Sequence, residues 1–91
     1  MAGRAEAPFS QEIGMDAAGK AKDIMARALK IDPQLVHDKL ELGGIPQWDS
    51  FGHIALMMAL ESEYGIPVSE ENVLRHTKFS VIVESISEKQ L

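Results

Sequence analysis

Apolar residues recur along this chain at helical spacing in separate stretches, and polar or turn-forming residues fall between them. From about Ser10, the residues Ile13, Ala17, Ala21, Ile24, Met25, Ala28 and Leu29 make one stripe, with Lys20, Lys22, Asp23, Arg27 and Lys30 largely off it; this predicts a first helix. Gly14 and Gly19 each cost about 1 kcal/mol relative to alanine inside a helix, so its first two turns are expected to be loose or absent. Gly43-Gly44 and Pro46 bar regular structure up to about Gln47, after which Phe51, Ile54, Met57, Met58 and Leu60 come close to the spacing of a buried face and predict a second helix. Gly65 is a candidate C-cap, and Ile66-Pro67-Val68 breaks the pattern. Ser69 can cap a short helix through Glu70, Glu71, Asn72, Val73 and Leu74. Thr77 offers a last cap, and Phe79, Val81, Ile82, Val83 and Ile86 supply the face of a final helix ending near Lys89.

Between the first two helices lies a long connection, residues 31–49. Asp32 can cap and Pro33 fits a first helical position, which suggests one short turn over Gln34 to His37. A loop of that length normally counts against an assignment, but Leu35, Val36, Leu40, Leu42 and Ile45 give it apolar anchors across a bundle. The run Phe79 to Val83 has a strand-like composition, yet no second strand is evident to pair with it. The expected fold is therefore all-α: a small bundle of three main helices plus one short helix, with a long loop between helices one and two. Residues 1–9 have no periodic pattern and are expected to form a flexible tail to a domain spanning 10–91.

Length and composition narrow the function. A chain of 91 residues supports one small core and no deep enclosed active site, which favours a carrier or adaptor over an enzyme. There is no cysteine, so a disulfide framework and a Cys-based metal site are both excluded. No charged n-region precedes an apolar h-region, and the longest apolar run, Ile54 to Leu60, is far shorter than a membrane span; the expectation is a soluble, cytoplasmic monomer. The net charge of −5 is concentrated: residues 40–74 hold Glu41, Asp49, Glu61, Glu63, Glu70 and Glu71 with no lysine or arginine. Such a surface repels nucleic acid and anionic membrane and suits proteins with basic docking patches, although it also serves simply to keep a small domain in solution.

Asp49-Ser50 stands where loop becomes helix. Both residue types are favoured N-caps, so capping alone accounts for their presence. A phosphate attached to a hydroxyl there would also be stabilised, by unpaired backbone N–H groups and the positive end of the helix dipole. Asp49, Ser50 and His53 form a superficial Ser-His-Asp set. An aspartate adjacent to the serine is poorly placed to orient the histidine, however, and no Gly-x-Ser-x-Gly elbow is present. The histidines at 37, 53 and 76 have no local metal-ligand spacing. Met57 with Met58 reads as core filler or as an adaptable docking groove.

The segment Asp49-Ser50-Phe51, followed by an apolar helix ending Ala59-Leu60-Glu61-Ser62-Glu63-Tyr64-Gly65, resembles the acyl carrier protein family, whose Asp-Ser-Leu motif carries 4′-phosphopantetheine on the serine. The likeness runs from about Ala17 to Ile86, and it implies that His76, at a place usually apolar in the family, is partly buried. It implies that Ser50 is the attachment site for a phosphopantetheine arm derived from coenzyme A, and that the chain carries acyl, aminoacyl or related groups for fatty acid, polyketide or other specialised biosynthesis. It implies that the partners are a phosphopantetheinyl transferase and acyl-loading and acyl-processing enzymes. It also implies docking roles for Asp49, Phe51, Ile54, Met58, Glu61 and Glu63. Phe51 stands where leucine is usual, and Gly52, His53 and Ala55 where well-studied fatty acid carriers place polar or acidic residues; with Trp48, these departures are reminiscent of a specialised stand-alone member. The alternative from another class is an unmodified acidic helical adaptor for a basic protein, in which Asp49-Ser50 is only a cap.

Overall fold

A computed structural model describes residues 16–89. Among them are four α-helices, α1 (Ala17–Leu29), α2 (Ser50–Tyr64), α3 (Glu70–Arg75) and α4 (Phe79–Lys89), and a single 3-10 turn at Pro33–Leu35. This is the expected helical bundle of three main helices and one short one. The tail and the part of helix one placed between Ser10 and Met15 lie outside the described residues. Asp16, which the periodicity did not single out, caps α1 by accepting a hydrogen bond from the Gly19 N–H at 2.8 Å.

The helix boundaries follow from local chemistry. Asp32 accepts from the Gln34 N–H and sets Pro33 at the start of the short turn. The turn starts one residue earlier than the expected Gln34 to His37, because the proline itself is included, and ends two residues earlier, at Leu35. Gly65 ends α2 at φ 71°, a left-handed conformation that glycine adopts without steric cost. Ser69 accepts from Asn72 at the start of α3. Thr77 does not cap α4 as expected. Leu42 donates to the Thr77 carbonyl and Phe79 donates to the Leu40 carbonyl, so an isolated antiparallel bridge between Glu41 and Lys78 fixes the entry to α4 instead. The long loop thus finds its partner in the chain just before α4.

Helix α1 lies against both α2 and α4, and the core sits between them. Ala21, Ile24, Met25 and Leu29 of α1 meet Leu56, Met57 and Leu60 of α2 and Phe79, Ile82 and Ile86 of α4, with Val36, Leu40 and Ile66 sealing the ends. Of the loop's apolar residues, Val36 and Leu40 are buried and Ile45 partly so, while Leu35 and Leu42 stay at the surface. The largest fully buried side chain is Trp48, in the turn before α2. Two buried polar groups on α4 and its approach satisfy each other: the His76 Nε2 lies 2.7 Å from the Ser85 hydroxyl, and its Nδ1 donates to the Asn72 carbonyl at 2.8 Å.

Helix α3 is different in kind, since none of its residues is buried. It is held largely by hydrogen bonds, from Asn72 to the Pro67 carbonyl and from His76 and His53 to its own carbonyls. Few buried apolar contacts mean a low local free energy of opening.

Candidate functional site

The start of α2 is built by close packing of the loop against the helix. Trp48 donates its N–H to the Ile45 carbonyl and Gly43 donates to the Trp48 carbonyl, which curls residues 43–48 into a compact turn. That turn rests on Gly52: a Cβ added there would lie 2.2 Å from the Gln47 carbonyl oxygen and 3.0 Å from Leu29. The glycine is therefore a requirement of packing, a reason that neither its place in the helix nor its departure from the family's usual residues had indicated.

Asp49 takes the capping role by itself. Its carboxylate accepts from the Gly52 N–H at 2.8 Å and its carbonyl from the His53 N–H at 2.8 Å. Ser50 is then the first helical residue, exposed, and no hydrogen bond of its hydroxyl is found among the described residues. The N–H groups of Ser50 and Phe51 belong to the first turn, which a helix cannot pair internally. Ser50 presents a hydroxyl to solvent at the positive end of a 15-residue helix.

Periodicity had grouped Ile54, Met57, Met58 and Leu60 on one buried face; the structure divides them. His53, Leu56, Met57 and Leu60 face the core, whereas Phe51 (88% exposed), Ile54 and Met58 (60% exposed) form an apolar surface on the opposite side. His53, which the apolar spacing had left off the buried face, is only 3% exposed. Its Nδ1 accepts the Trp48 indole N–H at 3.0 Å, and its Nε2 lies 2.7 Å from the Val73 carbonyl. An indole N–H only donates and a carbonyl only accepts, so the tautomer is fixed with its proton on Nε2. Neither ring nitrogen is left for Ser50. The spacing of His53, Leu56, Met57 and Leu60 would have identified His53 as inward-facing, had the apolar pattern not been started from Phe51.

Ser50 and His53 also line an apolar groove of about 200 Å³ with Leu42, Ile54, Val73, Leu74 and Thr77. It lies where α2, α3 and the loop converge.

The acidic residues separate as well. Glu61 is exposed. Glu63, expected as a docking acid, is already engaged: Arg27 of α1 grips it with two hydrogen bonds, at 2.6 and 2.9 Å, and reaches back to Asp23 at 2.8 and 3.0 Å. The Arg27 hydrogen bonds hold the Glu63 carboxyl below its ordinary value of 4.5. A depressed folded-state pKa means that the pair's contribution is present above that ordinary value and is lost as pH falls through the folded-state value. The groups are half-exposed, so solvent screens them and the pair contributes about 0.5–1 kcal/mol. Glu63→Gln should lower stability by that amount at neutral pH, less in high salt, and the denaturation curves of the two proteins should converge in acid. A constant difference across pH would exclude the ion pair as its source.

No metal-binding cluster of three or more His, Cys, Asp or Glu is found among the described residues, and none of the described helices is long and apolar enough to cross a membrane. No protein-family model matches the chain. The chain is similar to monothiol glutaredoxin-S15, mitochondrial, of Arabidopsis thaliana, with 26% identity over 78 residues that cover 86% of this chain and 44% of that protein. It spans less than half the length of this relative.

Proposed function

We propose that the protein is a carrier whose Ser50 accepts a 4′-phosphopantetheine arm, probed and used by partners that dock on the exposed face of α2. The observation that carries this reading is the division of labour at the helix start. Asp49 satisfies the cap, so the neighbouring serine is not needed for it, and its hydroxyl stands exposed where a phosphodiester would meet free N–H groups and the helix dipole. When attached, the arm supplies a terminal thiol that holds an acyl group as a thioester. In the attachment step the Ser50 oxygen forms a new P–O bond, the pyrophosphate bond of coenzyme A breaks, adenosine 3′,5′-bisphosphate leaves, and the hydroxyl proton passes to the transferase.

The chain's own residues provide position and recognition. Gly52 and Trp48 fix the turn that presents Ser50; Phe51, Ile54 and Met58 offer an apolar docking face with Glu61 at its far end. The glutaredoxin likeness bears on this in one respect. The name of that protein specifies one thiol, and this chain has no cysteine, so any thiol chemistry here requires a group added to it.

Intact mass after incubation with coenzyme A and a broad-specificity phosphopantetheinyl transferase tests the reading. The parent should gain the mass of one arm and Ser50→Ala none, while the melting temperature of the variant stays within a few degrees because the Asp49 cap remains. A parent that gains no mass would leave the unmodified acidic adaptor as the better description.

A further inference from the structure

One imidazole joins the three segments that meet beside Ser50. His53 lies in the first turn of α2, where its backbone N–H donates to the Asp49 carbonyl. Its Nδ1 accepts from the Trp48 indole in the turn of residues 43–48, and its Nε2 donates to the Val73 carbonyl of α3.

The two buried histidines differ in what a second proton does to them. His76 lies between the Asn72 carbonyl and the Ser85 hydroxyl; a hydroxyl can turn to donate or accept, so an imidazolium there keeps both bonds. His53 has no such latitude. The lone pair of its neutral ring is on Nδ1, and it already faces the indole N–H at 3.0 Å, a group that only donates. A proton there sets two donors against each other and puts a charge on a ring that is 3% exposed. The Val73 bond survives and the Trp48 bond does not. The groove that His53 lines has no other ionisable side chain. On the elements around it, Glu41 of the loop, Glu70, Glu71 and Arg75 of α3 and Lys30 after α1 are exposed, and the Asp49 carboxylate is held by the Gly52 N–H.

We propose that His53 is a positioning residue for Ser50 and that it acts only while its ring is neutral: protonation parts Trp48 from α2, the turn of residues 43–48 loosens, and the serine loses the fixed presentation that its transferase needs. This rests on the carrier reading of Ser50. The protein is then readily modified at neutral pH and poorly in mild acid, because the rate follows the population of the ordered turn.

Two measurements over about pH 5 to 8, the range in which histidine side chains change charge, test the role of His53. The first is the rate of phosphopantetheine transfer, taken relative to His53→Gln so that the transferase's own pH dependence cancels; glutamine can accept from Trp48 and donate to Val73 but does not titrate. The parent should match His53→Gln at pH 8 and fall about tenfold below it at pH 5, the effect of one lost buried hydrogen bond. His53→Ala should be slower than His53→Gln throughout. The second is the NMR resonance of the indole N–H in the unmodified protein, a single signal because the chain has one tryptophan. On acidification it should shift in the parent along the same curve as the rate and stay in place in His53→Gln. His76→Gln should keep the parent's profile in both measurements. A rate ratio that is flat with pH, an indole signal that does not move in the parent, or a pH dependence abolished by His76→Gln overturns the proposal. Should His53→Gln fail to fold, the indole signals of the parent and of His76→Gln decide. A parent that takes up no arm at any pH refutes the carrier reading and the role of His53 together, while uptake with a flat ratio refutes the role of His53 alone.

Discussion

Replacing Trp48 with alanine is expected to cost about 3–5 kcal/mol, the range for removing a buried tryptophan, and to lower the melting temperature by roughly 15–30 °C at 4–8 °C per kcal/mol. Trp48 is the largest side chain at 0% exposure, and it is anchored at both ends of its role: its indole N–H donates to His53 and its backbone closes the turn before α2. The substitution leaves a cavity and strands the His53 Nδ1, which has no other donor among the described residues. A small domain has about 5–15 kcal/mol of stability in all, so Trp48→Ala should be partly unfolded near physiological temperature. Trp48→Phe separates the two contributions: it keeps most of the apolar volume and removes only the N–H, for a loss of about 1–2 kcal/mol. Denaturant midpoints of the three proteins measure both, and a Trp48→Ala variant as stable as the parent would contradict the buried placement.

Gly52→Ala should destabilise by about 1–3 kcal/mol through overpacking. The sign is the informative part, because the same substitution inside an ordinary helix stabilises by about 0.5–1 kcal/mol. Here the new Cβ would approach the Gln47 carbonyl oxygen to 2.2 Å. That oxygen is backbone and cannot swing aside, so the turn of residues 43–48 must lift from α2. Since the turn also leads into Asp49, the cap and the serine beside it move with it. The variant should therefore take up phosphopantetheine more slowly than the parent even well below its melting temperature. A stabilised variant with an unchanged rate would show that the loop and α2 are not in contact at this point.

These two substitutions also mark where reading the sequence reached its end. Helix starts and stops at Asp32, Gly65 and Ser69 were legible because each depends on a side chain or φ preference acting within a few residues. The position of Ser50 at the beginning of α2 was legible for the same reason, from Pro46 and the glycine pair before it and the apolar run after it. The identity of the cap was not, since aspartate and serine are equally good candidates and only the hydrogen bond to Gly52 assigns it to Asp49. Thr77 shows the converse. It was a good cap by local rules, and the bridge between Glu41 and Lys78, formed across a long separation in sequence, took its place.

By itself, then, the sequence determined the helical class, the order of the helices, the long loop and the loop-to-helix junction at Ser50, all consequences of local backbone preference and of apolar spacing along one element. Tertiary structure alone decided which side of α2 faces inward. That helix is apolar on nearly every side, so spacing could not choose between His53, Leu56, Met57 and Leu60 and the surface formed by Phe51, Ile54 and Met58; contact with α1 made the choice. It likewise placed Trp48 in the core, engaged both nitrogens of His53, required glycine at position 52 and paired Glu63 with Arg27. Each of these depends on atoms brought together from different elements, and no periodicity within a single element encodes such a meeting.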